Sequence, residues 1–175
     1  LLVIMGLIQN AVTLGLSFLV RRKAHSVGEH LSINYPTWVN NRTKLGENVN
    51  INGLIIYGEG SVEIGDNFHC GRGCEIQTEN HDYHGEKLPY DHTTISEPVS
   101  IGNNVWLGRG VLILPGVSIG NGAIIQARSV VVDDIPDLAI AGGHPAEAFS
   151  RCRVELDPWD YYGVSDTQQR SSGHP

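Results

Sequence analysis

The sequence is poor in basic residues and in cysteine. Its 12 lysines and arginines stand against 19 aspartates and glutamates, so the formal net charge is −7. Nucleic acids are bound by basic surfaces, and no dense run of Lys and Arg is present, which argues against a nucleic-acid partner. Cys70, Cys74 and Cys152 make an odd number without a paired framework. That usage is typical of a reducing compartment rather than of a disulfide scaffold.

A period of six residues is the strongest pattern in the chain. From residue 101 onward each six begins with an aliphatic residue and has a small or β-branched residue fifth, with Gly and Asn crowded between them. The same frame occurs earlier, with one extra residue before its second half. The first positions are Leu45, Ile51, Tyr57, Ile64, Cys70, Ile76, Ile101, Leu107, Ile113, Ile119, Ile125 and Val131, and the fifth positions from residue 101 are Val105, Val111, Val117, Ala123, Ser129 and Ile135.

This period describes a short strand, a tight corner and another strand at an angle, so that three sixes close a triangular coil. Stacked coils would pair their strands about 4.8 Å apart, and the ends of the stack would need caps. With 175 residues and 41% hydrophobic content, the chain suits one main domain with appendages. We therefore expect an all-β domain over residues 31–150, in which Cys70 and Cys74 point inward as small hydrophobic residues.

One segment interrupts the repeat. Residues 82–98 carry charge together with Pro89 and Pro98, and we expect them to protrude from one corner as a loop. A long loop on a rigid scaffold is a common place for function, because the scaffold fixes its base.

Three stretches carry a resemblance to a known family. They are Asn80-His81-Asp82-Tyr83, Ile101-Gly-Asn-Asn-Val-Trp-Leu-Gly and Leu114-Pro-Gly-Val-Ser-Ile-Gly. Together they resemble the hexapeptide-repeat acyltransferases, and most of all bacterial sugar O-acetyltransferases, including those that decorate surface polysaccharides. The resemblance covers roughly residues 45–150 and implies a left-handed parallel β-helix. An unrelated β-solenoid is the alternative fold.

The resemblance implies a reaction and its residues. An acetyl group would pass from acetyl-CoA to a sugar hydroxyl, with His81 as general base, a role that suits an imidazole near neutral pH. The backbone N–H of Arg109 would stabilise the oxyanion. An ordinary solvated loop histidine is the alternative for His81. Residues expected to contact the acceptor are Asn80, Asp82, Tyr83, His84 and His92.

The resemblance also implies a homotrimer with the coenzyme in a groove between subunits. Trp106, Gly108, Ala127 and Ser129 match positions near that groove, although each of them also has a packing explanation. The family often carries Thr-Lys where this chain has Val132-Asp133. The phosphate-binding cation would then come from one of three arginines, Arg128, Arg151 or Arg153.

Other activities on the same fold stay open. An acetyltransferase acting on an antibiotic or an amino sugar is the nearest alternative. The fold also hosts γ-class carbonic anhydrases, which hold zinc with three histidines fixed on coils. His81, His84 and His92 belong mostly to the loop, and residues 101–118 contain no histidine. We therefore expect no metal site.

The first 20 residues contain no charge, and Arg21-Arg22-Lys23 follow. We expect an apolar helix within residues 1–30 that either meets the cytoplasmic face of the inner membrane or packs within the trimer. Membrane contact is favoured, because a glycan-lipid acceptor and cytoplasmic acetyl-CoA would meet there. Residue 1 is leucine, so an earlier start of the natural chain stays open. The period is lost over residues 151–175, which we expect to be a partly disordered extension.

Overall fold

The fold is a stack of triangular coils preceded by one helix, seen in a computed structural model that describes residues 2–87 and 89–152, with backbone only for residues 2–9. Helix α1 spans Leu2–Lys23, and eighteen short strands follow it. Three parallel sheets form three faces of a prism with about six turns. Face 1 contains β1 (Ser26–Val27), β3 (Thr43–Leu45), β6 (Val62–Ile64), β11 (Val99–Ile101) and β14 (Ser118–Ile119).

The other two faces complete each coil. Face 2 contains β2 (Ser32–Ile33), β4 (Asn50–Ile51), β7 (His69–Cys70), β12 (Trp106–Leu107), β15 (Ile124–Ile125), β17 (Ala139–Gly142) and the antiparallel β18 (Glu147–Arg151). Face 3 contains β5 (Leu54–Tyr57), β8 (Cys74–Gln77), β13 (Leu112–Ile113) and β16 (Val130–Val131). Corner 1–2, corner 2–3 and corner 3–1 denote the turns that join successive faces.

The hexapeptide register agrees with the packing. Ile113 pairs with Ile76 on the coil before it and with Val131 on the coil after it, so equivalent aliphatic side chains stack along the axis. Every predicted first and fifth position from residue 101 onward is buried, and the inward placement of Cys70 and Cys74 is confirmed. The core is therefore one column of side chains enclosed by the three faces.

One predicted inward position is wrong. Tyr57 is half exposed, whereas Ile56 is buried and pairs with Ile76. The corner after Ile51 is one residue shorter than the one after Cys70, and the corner after Ile56 is two residues longer than the regular corner after Ile113. The one extra residue was visible in the sequence. That it results from one shorter corner and one longer corner was not.

Asparagine explains the tight turns at corner 1–2. Asn48, Asn67 and Asn104 all adopt positive φ angles of 53–58°, a conformation that Asn tolerates better than most residues. Their side-chain amides form a ladder, because Asn48 donates to Asn67 over 2.8 Å and Asn67 donates to Asn104 over 2.9 Å. Each rung ties one coil to the next.

Helix α1 caps the first coil. The β-helix begins at Ser26 rather than at residue 31, and α1 packs against β2. The Ser17 hydroxyl accepts a hydrogen bond from the backbone N–H of Ile33 over 3.2 Å, and Val20 is buried. The expected helix is confirmed over Leu2–Lys23. No helix within the described residues is long and apolar enough to span a bilayer.

The predicted loop contains a β-hairpin. Strand β9 (Glu79–His81) pairs antiparallel with β10 (Thr94–Ser96), so that only residues 82–93 lie between the two strands. At the other end, β18 folds back on β17. Arg153 and the residues after it lie outside the described residues.

Candidate functional site

The hairpin that carries His81 is anchored at corner 3–1. Thr78 is fully buried, and its hydroxyl donates to the carbonyl of Tyr57 over 2.7 Å and accepts from the N–H of Gly60 over 3.1 Å. The next residue, Glu79, accepts hydrogen bonds from the Glu59 N–H and the Ser96 hydroxyl. The base of the hairpin is thereby attached to the coil below it.

His81 stands at the outer end of β9 and is exposed. Its imidazole lies flat against the ring of Tyr90, with centroids 3.9 Å apart and planes inclined by 14°. Neither ring nitrogen of His81 hydrogen-bonds to another described residue. Stacking restrains the ring without occupying its nitrogens, so one of them is free to accept a proton.

The turn behind Tyr90 is organised by Asp91. Its carboxylate accepts hydrogen bonds from the N–H and hydroxyl of Thr93 and from the N–H of Glu86. The bonds from Thr93 are the main reason why the pKa of Asp91 is lowered, and the bond from Glu86 adds to them. Sequence reasoning named neither Tyr90 nor Asp91, because an aromatic residue and a carboxylate in a polar loop carry no signal of their own.

The residues expected to contact the acceptor have mixed placements. Asp82 is half-buried, and its carboxylate accepts the N–H of His84, which makes it a turn residue at least in part. Asn80, His84 and His92 are exposed, and Tyr83 packs obliquely against His84. Asn80, Asp82, Tyr83 and His84 are chain neighbours of His81, whereas no hydrogen bond or ring contact joins His92 to His81 within the described residues.

Four of the residues expected to bind the coenzyme, Gly108, Ala127, Arg128 and Ser129, lie at corner 2–3. Arg109 and Arg128 occupy this corner on successive coils, and the N–H of Arg128 donates to the carbonyl of Arg109 over 2.9 Å. A Cβ atom on Gly108 would lie 2.4 Å from the backbone nitrogen of Ala127, so Gly108 is required for close stacking whether or not it meets a ligand. The N–H of Arg109 has no hydrogen-bond partner among the described residues.

Arg128 has a strained backbone. Its φ is +66°, and on the three preceding coils the matching positions are occupied by Gly53, Gly73 and Gly110, each also with positive φ. A non-glycine residue in this conformation costs about 1–2 kcal/mol. The Arg128 side chain passes over Gly110, since a Cβ there would lie 3.1 Å from Cδ of Arg128. Such strain commonly persists where a side chain has a function.

Two of the expected coenzyme contacts do not fit their placement. Ser129 is buried, and its hydroxyl accepts the N–H of Gly143 over 3.1 Å, so its side chain serves packing, the alternative that the sequence left open. Arg151 donates to the carbonyl of Asp137 at corner 1–2, at the opposite end of β17 from the corner that holds Arg128. Trp106 lies on face 2 with 47% of its surface exposed. Its indole is therefore accessible both to the coenzyme and to packing against another surface.

His81 and Arg109 lie at different corners of the prism. The hairpin leaves corner 3–1, whereas Arg109 lies at corner 2–3, and the width of face 3 separates them. Five extended residues span roughly 16 Å. Within one copy, the corner that bears the hairpin is therefore separated from the corner that holds Arg109 by about the width of a face.

A surface hollow adjoins the base of the hairpin and was not foreseen from the sequence. It encloses about 540 Å³ and is lined by aromatic and polar side chains, including Trp38, Asn40, Tyr57 and Glu59. Trp38 is 72% exposed and Tyr57 50% exposed. Because the hexapeptide frame assigned Tyr57 to the core, its exposed ring was not predicted to line a surface site.

No group of three metal-binding side chains occurs among the described residues. Cys74 donates its thiol to the carbonyls of Gly71 and Gly108, each over 3.2 Å, as expected of a packed core residue.

Comparisons with known proteins agree with this architecture. The bacterial transferase hexapeptide family, in its six-repeat form, matches residues 98–133. Galactoside O-acetyltransferase of Escherichia coli K12 is 34% identical over 160 residues, which cover 88% of this chain and 75% of that protein. A solved galactoside acetyltransferase in complex with coenzyme A superposes with a TM-score of 0.66 at 31% identity, covering 78% of this chain and 69% of its own.

A third relative matches only part of the chain. The Escherichia coli K12 protein WbbJ, whose name places it among O-acetyltransferases of lipopolysaccharide biosynthesis, is 40% identical over 74 residues, or 42% of this chain and 38% of that protein. The chain belongs to the hexapeptide-repeat bacterial transferases, among the acyl-CoA-dependent O-acetyltransferases. The expectations of a left-handed parallel β-helix and of acetyl-CoA as co-substrate are confirmed at this level.

Proposed function

We propose that this enzyme acetylates a hydroxyl of a sugar, with His81 as the general base. The observation that carries the proposal is the placement of His81, whose ring is held by Tyr90 at the outer end of an anchored strand with its nitrogens unoccupied. A base within hydrogen-bond reach of a hydroxyl contributes about 10²–10⁴-fold to such a reaction.

The chemistry proceeds by direct transfer. His81 takes the hydroxyl proton as the sugar oxygen bonds to the thioester carbonyl carbon. The resulting oxyanion accepts a hydrogen bond from the backbone N–H of Arg109, which is otherwise without a partner among the described residues. Collapse of the tetrahedral intermediate breaks the carbon–sulfur bond, and the departing thiolate of coenzyme A receives the proton that His81 holds.

The separation of His81 from Arg109 supports an active site shared between two copies. One copy would supply His81 from corner 3–1, and a neighbour would supply Arg109 and Arg128 from corner 2–3. Three such contacts close into a homotrimer, a symmetric arrangement with three equivalent sites. Cofactor contact at corner 2–3 rests on the exposed cations there and on the exposed indole of Trp106.

The acceptor surface is best supported at the hollow beside the hairpin. Apolar faces of sugar rings pack against exposed aromatic side chains such as Trp38 and Tyr57, and their hydroxyls bond to groups such as Asn40 and Glu59. Galactoside is the acceptor class named for the relative that spans most of this chain. The likeness to WbbJ supports an acceptor destined for a surface polysaccharide.

The test is an acceptor panel. Purified enzyme is mixed with acetyl-CoA and with galactosides, glucosides, amino sugars and chloramphenicol, while thiol release and product mass are followed. The proposal expects an O-acetylated sugar and a rate that is lost in His81→Ala. Exclusive N-acetylation, or acetylation of chloramphenicol alone, would overturn the sugar-hydroxyl assignment.

A mixing experiment tests the shared site. His81→Ala and Arg109→Pro are each expected to be inactive, the second because proline has no N–H. Unfolding and refolding the two variants together should restore about a quarter of the wild-type sites or fewer, since random mixing pairs the intact halves in that fraction of interfaces. If both variants fold and assemble but their mixture stays inactive, His81 and Arg109 do not come from different copies.

A further inference from the structure

Helix α1 turns polar as well as apolar side chains toward the protein and leaves a second set of apolar side chains in solvent. Its polar side chains face the protein, because the hydroxyls of Thr13 and Ser17 hydrogen-bond to Asn34 and to the backbone at Leu31 and Ile33. Leu16 and Val20 also pack against the core, whereas Val12, Leu14, Phe18 and Leu19 face outward. Surface helices of globular proteins normally turn their apolar face to the core.

The outward face is substantial. Leu14 is 72% exposed, Phe18 59% and Leu19 62%, and Val12 is exposed as well. Leu14 and Phe18 are four residues apart and Val12 and Leu19 are seven apart, so the four side chains form two neighbouring rows that make one strip on the solvent side of the helix. Contiguous exposed apolar surface of this kind marks an interaction site.

Charge decides which partner suits this strip. Arg22 and Lys23 are exposed at the C-terminal end of the helix, and the Arg22 guanidinium lies 5.9 Å from the centre of the Phe18 ring. None of the 19 acidic residues of the chain falls within α1. A second copy with its helix parallel to this one would bring like-charged helix ends together, whereas anionic lipid headgroups complement them.

We propose that α1 docks this enzyme on the surface of an anionic membrane. The strip formed by Val12, Leu14, Phe18 and Leu19 enters the region between headgroups and acyl chains, and Arg22 and Lys23 contact the headgroups. A helix of 22 residues is about 33 Å long, and it lies along the membrane plane with the first coil of the β-helix attached to its polar side. The arrangement would bring the enzyme to acceptors that are carried on lipids.

The test measures binding of the full-length protein to vesicles. Vesicles of phosphatidylcholine with about 30% phosphatidylglycerol are compared with vesicles of phosphatidylcholine alone by cosedimentation. The variant L14S/F18S/L19S should bind the anionic vesicles about 100-fold more weakly, because it loses the apolar area that enters the bilayer. R22Q/K23Q should lose roughly fivefold per charge, and only on anionic vesicles.

The control variant V132S/F149S removes exposed apolar side chains elsewhere in the molecule and should bind as the wild type does. Thermal unfolding and the transfer rate with a soluble sugar should stay unchanged in L14S/F18S/L19S, so that loss of binding is separated from loss of folding or of the proposed reaction. Absence of vesicle binding by the wild type would overturn the proposal. So would a smaller assembly of L14S/F18S/L19S in light scattering with unchanged vesicle binding, which would show that the strip contacts a second copy.

Discussion

His81 and Tyr90 form a stacked pair across the neck of the loop, with ring centroids 3.9 Å apart. The two residues come from opposite sides of the turn, since His81 ends β9 and Tyr90 precedes β10. The orientation of the imidazole therefore depends on the fold of the whole loop.

Removing the Tyr90 ring should lower the rate of transfer. An aromatic pair contributes about 0.5–1.5 kcal/mol beyond buried area, so we expect Tyr90→Ala to reduce kcat about 2–12-fold with the KM for acetyl-CoA unchanged. Tyr90→Phe keeps the stacking and should retain nearly full kcat. Steady-state kinetics on both variants checks this, and equal losses in the two would assign the effect to the phenol hydroxyl instead.

The turn should loosen at low pH through Asp91. Its pKa is lowered in the folded loop by hydrogen bonds, chiefly those from Thr93, so its contribution to loop order is complete above the unfolded pKa and is lost as pH falls through the lowered value. Amide hydrogen exchange at Thr93 and Glu86 should accelerate over that range, after correction for intrinsic rates. In Asp91→Asn the exchange should be faster at neutral pH, without this acid transition. An unchanged transition in Asp91→Asn would contradict the assignment.

Arg128→Gly should separate stability from cofactor binding. Glycine relieves the positive φ of this position, so the free energy of unfolding should rise by about 1 kcal/mol. The loss of a cation should raise the KM for acetyl-CoA about tenfold.

Arg128→Lys is the matched control, because it keeps both the charge and the backbone strain and should leave stability unchanged. Denaturant unfolding and steady-state kinetics measure the two effects. A KM that is unaltered in Arg128→Gly would remove Arg128 from the coenzyme site.

Ser129→Ala should lower stability without affecting coenzyme binding, in contrast to Arg128→Gly. The buried hydroxyl accepts the N–H of Gly143, and leaving that donor unpaired costs about 1–3 kcal/mol. The KM for acetyl-CoA should not change. Equilibrium unfolding and kinetics on the same preparation decide the matter, and an increased KM without loss of stability would restore Ser129 to the cofactor residues.

Much of the architecture could be predicted because the sequence repeats with a period of only six residues. The frame from Ile101 to Val131 needs only one rule, an aliphatic residue every sixth position, and the structure follows it without exception. The frame failed at Tyr57, where two corners of unequal length shift the register, since corner length depends on contacts with neighbouring coils.

The site was predicted only in part. A single histidine at the end of a coil is visible in the sequence, but the stacking of Tyr90 depends on how the loop folds back. Arg151 was grouped with Arg128 because the reversal of the chain at β18 has no signature in the repeat. The helix α1 was expected from the sequence, whereas the inward orientation of Thr13 and Ser17 followed from hydrogen bonds with the first coil, which a helical period alone does not specify.

The central claim, that His81 is the base for acetyl transfer, is tested most directly by the transfer rate of His81→Ala at saturating acetyl-CoA and acceptor. Coenzyme A binding, followed separately by calorimetry, should be unchanged, since the substitution alters none of the residues proposed to hold the coenzyme. We predict a kcat about 10²–10⁴-fold below that of the wild type. A kcat within about twofold of wild type, with the enzyme folded and binding coenzyme A, would contradict the account.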